Sequence, residues 1–500
     1  MKKQPVFGEM LEFLENRIYL TTLDENPDSE ILSQFHFFTI DDSLVYNPFH
    51  HDFGPLNIGH LYRFSLTMHE MLSVRLLDPV IREKPFILYS KNDNRNRTCA
   101  ACLVACYMVL VQNWPPHLAL APLIEADPPY IPFRDAGYAP ADYGISIQDC
   151  VYGLWKAKEA NILNIKNLDL EEYETYERVE YGDLNWITPH FIAFASPVQP
   201  GYGSHGNQKS VITPTFTSVL EYFSSHRVGL VIRLNKPLYD KKQFENLGVE
   251  HVDMFFEDGT CPDLEVVRKF CGLAEEMFEK DLVVAVHCKA GLGRTGCLIG
   301  AYLIYKYSFT ANEVIAYMRM MRPGMVVGPQ QHWLHINQHH FKKWSSQSLP
   351  KWTKATKFST PPRSPLSNIK NNEVENTPLP VPTPGQPRKN INSQKKTRVI
   401  SLGSDLREAL TEVMEQKSVE INEIQSNKDN KNYITDSKHL IDHVHKEILK
   451  QNNSFMSASK KKTNNAEKNR SVSASNNSIL NTTNITSGRV IKSRPSRGRV

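Results

Sequence analysis

No run of about 18 apolar residues occurs in the 500-residue chain, so nothing in it is long enough to cross a bilayer as a helix, and membrane insertion is not expected. Cysteine is scarce and one-sided: all 8 lie before residue 300, and none stands in a zinc-binding spacing. Cys99, Cys102 and Cys106 share one helical face without a second ligand cluster, which makes them core residues rather than ligands. Glu9, Glu12 and Glu15 interrupt the first apolar stretch, so no secretory leader is expected. These absences point to a reducing compartment, where a reactive thiol survives, and they call for no metal and no cofactor.

A chain this long exceeds one core, which predicts two or three domains, or fewer with disordered sequence. The formal charge of +4 conceals an asymmetry. Residues 351–500 carry 27 Lys and Arg against 13 Asp and Glu, whereas residues 1–350 carry 31 against 41. An acidic body suits a cationic substrate, and a basic tail suits an anionic or receptor partner. Composition changes near residue 350, where KFSTPPRSPLSN and ENTPLPVPTPGQPRKN lead into Asn/Ser/Lys-rich sequence with few aromatics. That composition predicts a largely disordered basic regulatory tail over 346–500. One island, SDLREALTEVMEQKSVEINEIQ, puts Leu406, Leu410, Val413 and Met414 at helical spacing; it reads as nascent helix or as a short docking helix.

Within the body, strand-like runs alternate with helical patterns: FILYS then TCAACLVACYMVL, and GLVIRLNK through VVAVH to GCLIGAYLIYKY. The alternation predicts an α/β fold. A repeat is present too. FILYS followed by LVACYMVL parallels VAVH followed by LIGAYLIY, and PHLALAPLIEADP parallels ANEVIAYMRMMRP, with Pro128 matching Pro323. Where the second copy has Cys288 after its strand, the first has Lys91, as expected of a duplicated domain whose first copy lost its nucleophile. NLDLEEYETYERVEYGDLNW, between the copies, reads as a polar linker helix with a breaker at Gly182.

Residues 288–294, CKAGLGR, place cysteine, five residues and arginine between a buried strand and a helix. A turn of this length can aim successive backbone N–H groups inward, as an anion nest at a helix N-terminus. Lys289, Ala290, Gly291, Leu292 and Gly293 would form it, and the two glycines permit the backbone angles it requires. Arg294 supplies a planar fork for two phosphate oxygens. The same positive surroundings favour the thiolate of Cys288, the expected nucleophile. A cysteinyl-phosphate route also needs an acid for the departing oxygen, because serine and threonine alkoxides leave poorly. HVDMFFEDGTCPD offers Asp253, Glu257, Asp258 and Asp263 in a turn-rich, mobile-looking loop, and residue chemistry alone does not choose among them.

Taken together, FFEDGTCPD, HCKAGLGRTG, RPGMVVGPQQ, YIPFRDAGY and DLEEYETYERVEYGDLNWI resemble the cell-division-cycle-fourteen family of mitotic-exit dual-specificity protein phosphatases, over about residues 10–345. The resemblance implies two tandem dual-specificity-phosphatase-like domains: a non-catalytic one over 1–157, a linker helix over 158–185 and a catalytic one over 186–345. It implies Cys288 as nucleophile, Arg294 on the phosphate and Asp258 as general acid. Thr295 would ease departure of the thiolate, His287 would support the cysteine, and Gln330 or Gln331 would position the hydrolytic water. The family's preference is phosphoserine followed by proline with a basic residue shortly after, as left by cyclin-dependent kinases, and its acidic groove maps onto Asp93, Asp135, Glu174, Glu177 and Asp183. Glu171, Glu174 and Glu177 recur every third residue, on one face of a helix.

Two other readings compete. The loop also resembles that of phosphoinositide phosphatases; Lys289 suits a polyanionic head group, while Leu292 and the acidic body do not. A phosphoprotein-binding scaffold fits the first copy better than the second. Thr360-Pro361, Ser364-Pro365, Thr377-Pro378 and Thr383-Pro384 are candidate kinase sites. Lys460-Lys461-Lys462 and the basic run at 489–499 suit an import receptor, another regulatory partner or nucleic acid, or else merely solubilise the tail. The resemblance implies work in the nucleus and cytoplasm, with nucleolus, spindle and centrosome or spindle pole as further sites to test.

Overall fold

The structure, a computed structural model, describes residues 8–23, 35–77, 84–202, 210–344, 349–351, Lys389 and Ile400, all within one compact unit. The candidate kinase sites, the basic clusters and the 404–425 island lie outside the described residues.

In the first half, β1 (Leu11–Leu14) and β2 (Ile18–Thr22) form an antiparallel hairpin. β2 and β3 (His36–Phe38) flank β4 (Phe86–Ser90), both parallel to it, in the order β1-β2-β4-β3. Among the described residues, helices α1 (Ile58–Leu77), α2 (Asn94–Leu110), α3 (Pro116–Leu120) and α4 (Ile147–Glu159) belong to this half. A small ribbon, β5 (Phe133–Arg134) with β6 (Gly144–Ile145), precedes α4. A reciprocal Ser146–Asp149 capping box starts α4 where the sequence switches to helical spacing.

The second half repeats the plan. β7 (Leu184–Thr188) and β8 (Phe191–Phe194) form a hairpin, and β8 and β9 (Val228–Arg233) flank the central β11 (Val283–His287) in parallel. β10 (Glu250–Asp253) adds an outer strand, giving the order β10-β9-β11-β8-β7. Every residue of β11 is buried, as an apolar β-branched run covered on both faces must be. Around the sheet lie α6 (Pro214–Ser225), α7 (Lys242–Glu245), α8 (Leu264–Glu279), α9 (Gly293–Tyr307), α10 (Ala311–Met321) and α11 (Pro329–Lys343). α9 is apolar all round and buried from Gly293 to Tyr305, the position of a helix inside the core. Hairpin, central strand and parallel neighbour therefore recur in both halves, as the internal repeat predicts.

Between the halves the expected linker helix is broken. Only Leu170–Tyr176, α5, is α-helical; 3₁₀ turns at Ile165–Asn167 and Val179–Tyr181 flank it. The reason is geometric: Arg178 is extended, and the chain turns through Gly182 at φ 124° to enter β7. Tyr173 on α5 is buried and donates to Met321 O at the end of α10, 3.1 Å away. Nearby, α4 crosses α10 so closely that a Cβ on Gly153 would lie 2.5 Å from Glu313 O. One continuous apolar core serves both halves.

Candidate active site

β11 ends at His287, and α9 begins at Gly293. The five residues between them hold the loop that the sequence marked. Cys288, Arg294 and Thr295 are buried, as are Ala290, Gly291, Leu292 and Gly293, while Lys289 is exposed. Gly291 has φ 66°, and a Cβ there would lie 2.0 Å from Phe194 O, so only glycine fits. Arg294 Nη1 donates to Leu234 O (3.2 Å) and Phe256 O (3.0 Å), and its Nη2 lies 3.1 Å from Asp258 Oδ1. Its Nε and the Thr295 hydroxyl are buried without a partner among the described residues, a condition that a bound oxyanion or a thiolate would relieve.

His287 anchors the cysteine from behind. Its Nδ1 pairs with Cys288 O at 3.0 Å and its Nε2 with the Tyr239 hydroxyl at 2.7 Å, which also meets His251 Nε2 at 2.8 Å. Burial pushes both imidazoles down to about 3, so the chain is neutral. Phe194 packs on the His287 ring with centroids 4.7 Å apart.

The four carboxylates of residues 253–263, from the end of β10 to the start of α8, part company. Asp253 is bound by Arg233 at 2.6 and 3.1 Å. Asp263 precedes α8 as its N-cap residue, and the Glu257 carbonyl receives the Thr260 hydroxyl at 2.7 Å. Asp258 alone of the four is placed on Arg294, with 34% of its side chain exposed. Of the two glutamines, Gln330 reaches this loop, its Nε2 donating to Thr260 O at 3.1 Å, while its Oε1 takes Val327 N at 3.2 Å. Gln331 accepts from Arg319 Nη2 at 2.7 Å.

The acidic residues assigned to a groove have separate partners. Asp93 caps α2, accepting from Arg95 N, Asn96 N and Asn96 Nδ2. Buried Asp135 accepts Gly137 N at 3.1 Å and, from across the fold, Gly328 N at 2.8 Å. Glu174 holds Arg63 through two 2.7 Å bonds. Glu177 and Asp183 come together around one cation. Lys389 Nζ lies 2.9 Å from Asp183 Oδ1 and 3.6 Å from Glu177 Oε1, and donates to Glu177 O at 2.8 Å.

The profile described as "Dual specificity protein phosphatase, N-terminal half" matches residues 12–157, and that described as "Dual specificity phosphatase, catalytic domain" matches residues 211–340. The chain is 59% identical over 389 residues to the tyrosine-protein phosphatase CDC14 homolog of Schizosaccharomyces pombe, covering 76% of this chain and 72% of that protein. It is 47% identical over 449 residues to the tyrosine-protein phosphatase cdcA of Emericella nidulans, covering 77% and 74%. To the dual specificity protein phosphatase CDC14A of Homo sapiens it is 39% identical over 341 residues, covering 66% and 54%. The chain belongs to the CDC14 family of dual-specificity protein phosphatases.

In the first phosphatase-like domain of this CDC14 member the counterpart loop is built differently, with Lys91 where the second has Cys288. Only three residues separate β4 from α2, against five between β11 and α9. The exposed end of α2 is occupied by the Asp93 carboxylate, and Lys91 turns to Asp42 at 3.5 Å. Sequence reasoning did not single out Tyr239, Arg233 or Arg322. Tyr239 lies 48 residues from His287 with no motif around it. Arg322 stands at the start of RPGMVVGPQQ, and an arginine among apolar residues, followed by proline, is the signal that marks it.

Proposed function

We propose that this protein phosphatase works through a cysteinyl-phosphate on Cys288. The Cys288 thiolate attacks phosphorus, forming the S–P bond as the P–O bond to the substrate breaks, and Asp258 gives its proton to the departing oxygen. Arg294 and the loop N–H groups hold the phosphoryl oxygens throughout. Water, placed by Gln330, then attacks phosphorus; Asp258 takes its proton, and the S–P bond breaks with the Thr295 hydroxyl donating to the leaving sulfur. The single observation that carries the reading is the Arg294–Asp258 pair: one guanidinium at the mouth of the loop contacts the acid-bearing loop at 3.1 Å. Cys288→Ser should abolish turnover and still bind phosphopeptide. Residual turnover within about tenfold of the parent would remove Cys288 as nucleophile.

The preferred substrate is phosphoserine-proline with a basic residue shortly after it, so the enzyme reverses proline-directed phosphorylation in cell-cycle control. Support comes from the Asp183–Glu177 pair, which is already built to hold an ammonium group. Residence in the nucleus and cytoplasm, with spindle, spindle-pole and nucleolar pools, and import or regulation through the basic tail belong to the same proposal. Fluorescent tagging with and without residues 460–500 tests them.

A further inference from the structure

The carbonyl groups of the phosphate loop can be followed one at a time. Lys289 O accepts Ser196 N–H at 3.1 Å, Ala290 O accepts Arg322 Nη2 at 2.9 Å, and Gly291 O accepts Arg322 Nε at 3.0 Å. In a planar trans peptide each carbonyl points opposite to the N–H of the next residue. Three consecutive carbonyls drawn outward therefore turn the N–H groups of Ala290, Gly291 and Leu292 to the other side of the loop, where a phosphoryl group needs donors.

Arg322 supplies two of those three outward bonds from a fully buried position at the end of α10. It is fixed in turn by β7 and the residue before it: Nη1 lies 2.7 Å from Asn185 Oδ1 and 3.0 Å from Asp183 Oδ1. Burial pushes the Asp183 carboxyl up, but Arg322 and Lys389 outweigh that and hold it below the usual range, so the Asp183–Arg322 pair is charged. The planar fork matters here, because one guanidinium serves two carbonyls and two side-chain oxygens in fixed directions.

We propose that Arg322 is a positioning residue for the phosphatase reaction: it sets the amide array of the phosphate loop, and Asp183 and Asn185 act on catalysis through it. The assignment rests on the phosphate-site reading of residues 288–294 given above. It gives Asp183 a task that does not depend on the substrate carrying a basic residue.

Arg322→Lys keeps the charge but offers a point donor in place of the fork, and Asp183→Asn keeps the shape while removing the charge. Full-length protein labelled with ¹⁵N-glycine and ¹⁵N-leucine should show the Gly291 and Leu292 amides shifting when tungstate, a phosphate mimic, is added. In Arg322→Lys those shifts should shrink, calorimetric tungstate affinity should fall roughly tenfold or more, and kcat on a small aryl phosphate should fall roughly 10²-fold, the scale of one lost oxyanion donor. Asp183→Asn should move all three readouts in the same direction by less.

A residue that merely supports the fold would lower the melting temperature and leave affinity per folded molecule unchanged. Shifts and affinity within about twofold of the parent in folded Arg322→Lys would overturn the proposal. Should that variant not fold, the same result in Asp183→Asn overturns it instead. Because tungstate binding needs no nucleophile, a parent enzyme that fails to bind it condemns the phosphate-site reading itself. Binding to the parent with unaltered affinity in the variants condemns the Arg322 assignment alone.

Discussion

Asp258 lies 3.1 Å from Arg294 Nη2 with about a third of its side chain exposed, near enough to serve a departing oxygen and open enough to exchange protons with water. Asp258→Asn should therefore slow phosphoserine hydrolysis by about 10²–10⁴ while barely affecting aryl phosphates with good leaving groups. Steady-state rates on both substrate types check this; equal losses, or a larger effect from Asp253 or Asp263, would move the acid elsewhere. The histidines behind the cysteine carry a different expectation. His287 and His251 are held down to about 3, whereas the unfolded chain binds protons near the ordinary value of about 6.5. Their depressed values mean that stability is fully present above that ordinary value and is lost as pH falls toward about 3, by about 1.4 kcal/mol per pH unit for each imidazole. Urea midpoints should drop steadily from about pH 7 to about pH 5, and His287→Gln should flatten the slope. A midpoint that does not move over that range would mean that these imidazoles accept protons without unfolding.

At the scale of elements, one face of the linker divides its carboxylates between two tasks. Glu174 ties α5 to α1 through Arg63, whereas Glu177 and Asp183 frame an ammonium. Glu177→Gln should lower kcat/KM for a phosphoserine-Pro-x-Lys peptide roughly fivefold, for a part-exposed contact of about 1 kcal/mol that weakens in salt. A matched peptide with Ala for Lys should lose little. Glu174→Gln should instead cost about 1 kcal/mol of stability and treat both peptides alike. Chemical denaturation and paired peptide kinetics separate the two outcomes, and a Lys-selective loss in Glu174→Gln would return that residue to the groove.

On the scale of the whole molecule, the first domain reaches into the second. Asp135 sits after β5, yet its carboxylate accepts Gly328 N–H at 2.8 Å, two residues before Gln330. Asp135→Ala frees that turn and lets the glutamine drift from the acid loop. We expect kcat to fall by roughly tenfold to 10²-fold, with slower phosphoenzyme hydrolysis and a larger pre-steady-state burst. Rapid-quench kinetics checks this; loss of the burst together with kcat would place the effect on phosphoryl transfer to Cys288 instead.

The strand–loop–helix around Cys288 and the duplicated plan were legible in the sequence because each is built from local patterns. A buried strand, one glycine at positive φ (Gly291; Gly293 instead opens the helix) and a helix of continuous apolar residues lie within about 25 consecutive positions. The resemblance already implied Asp258 as the acid; its contact with Arg294, and that of Gln330 rather than Gln331 with the Asp258 loop, came from tertiary structure, since each depends on a partner dozens of residues away. So did the break in the linker helix, where the turn into β7 overrides helical spacing. The partners of Tyr239 and Arg322 were decided last of all, by which buried hydrogen-bonding groups the packed core left to be satisfied. A sequence prints donors and acceptors in chain order, and only folding determines which of them meet away from water.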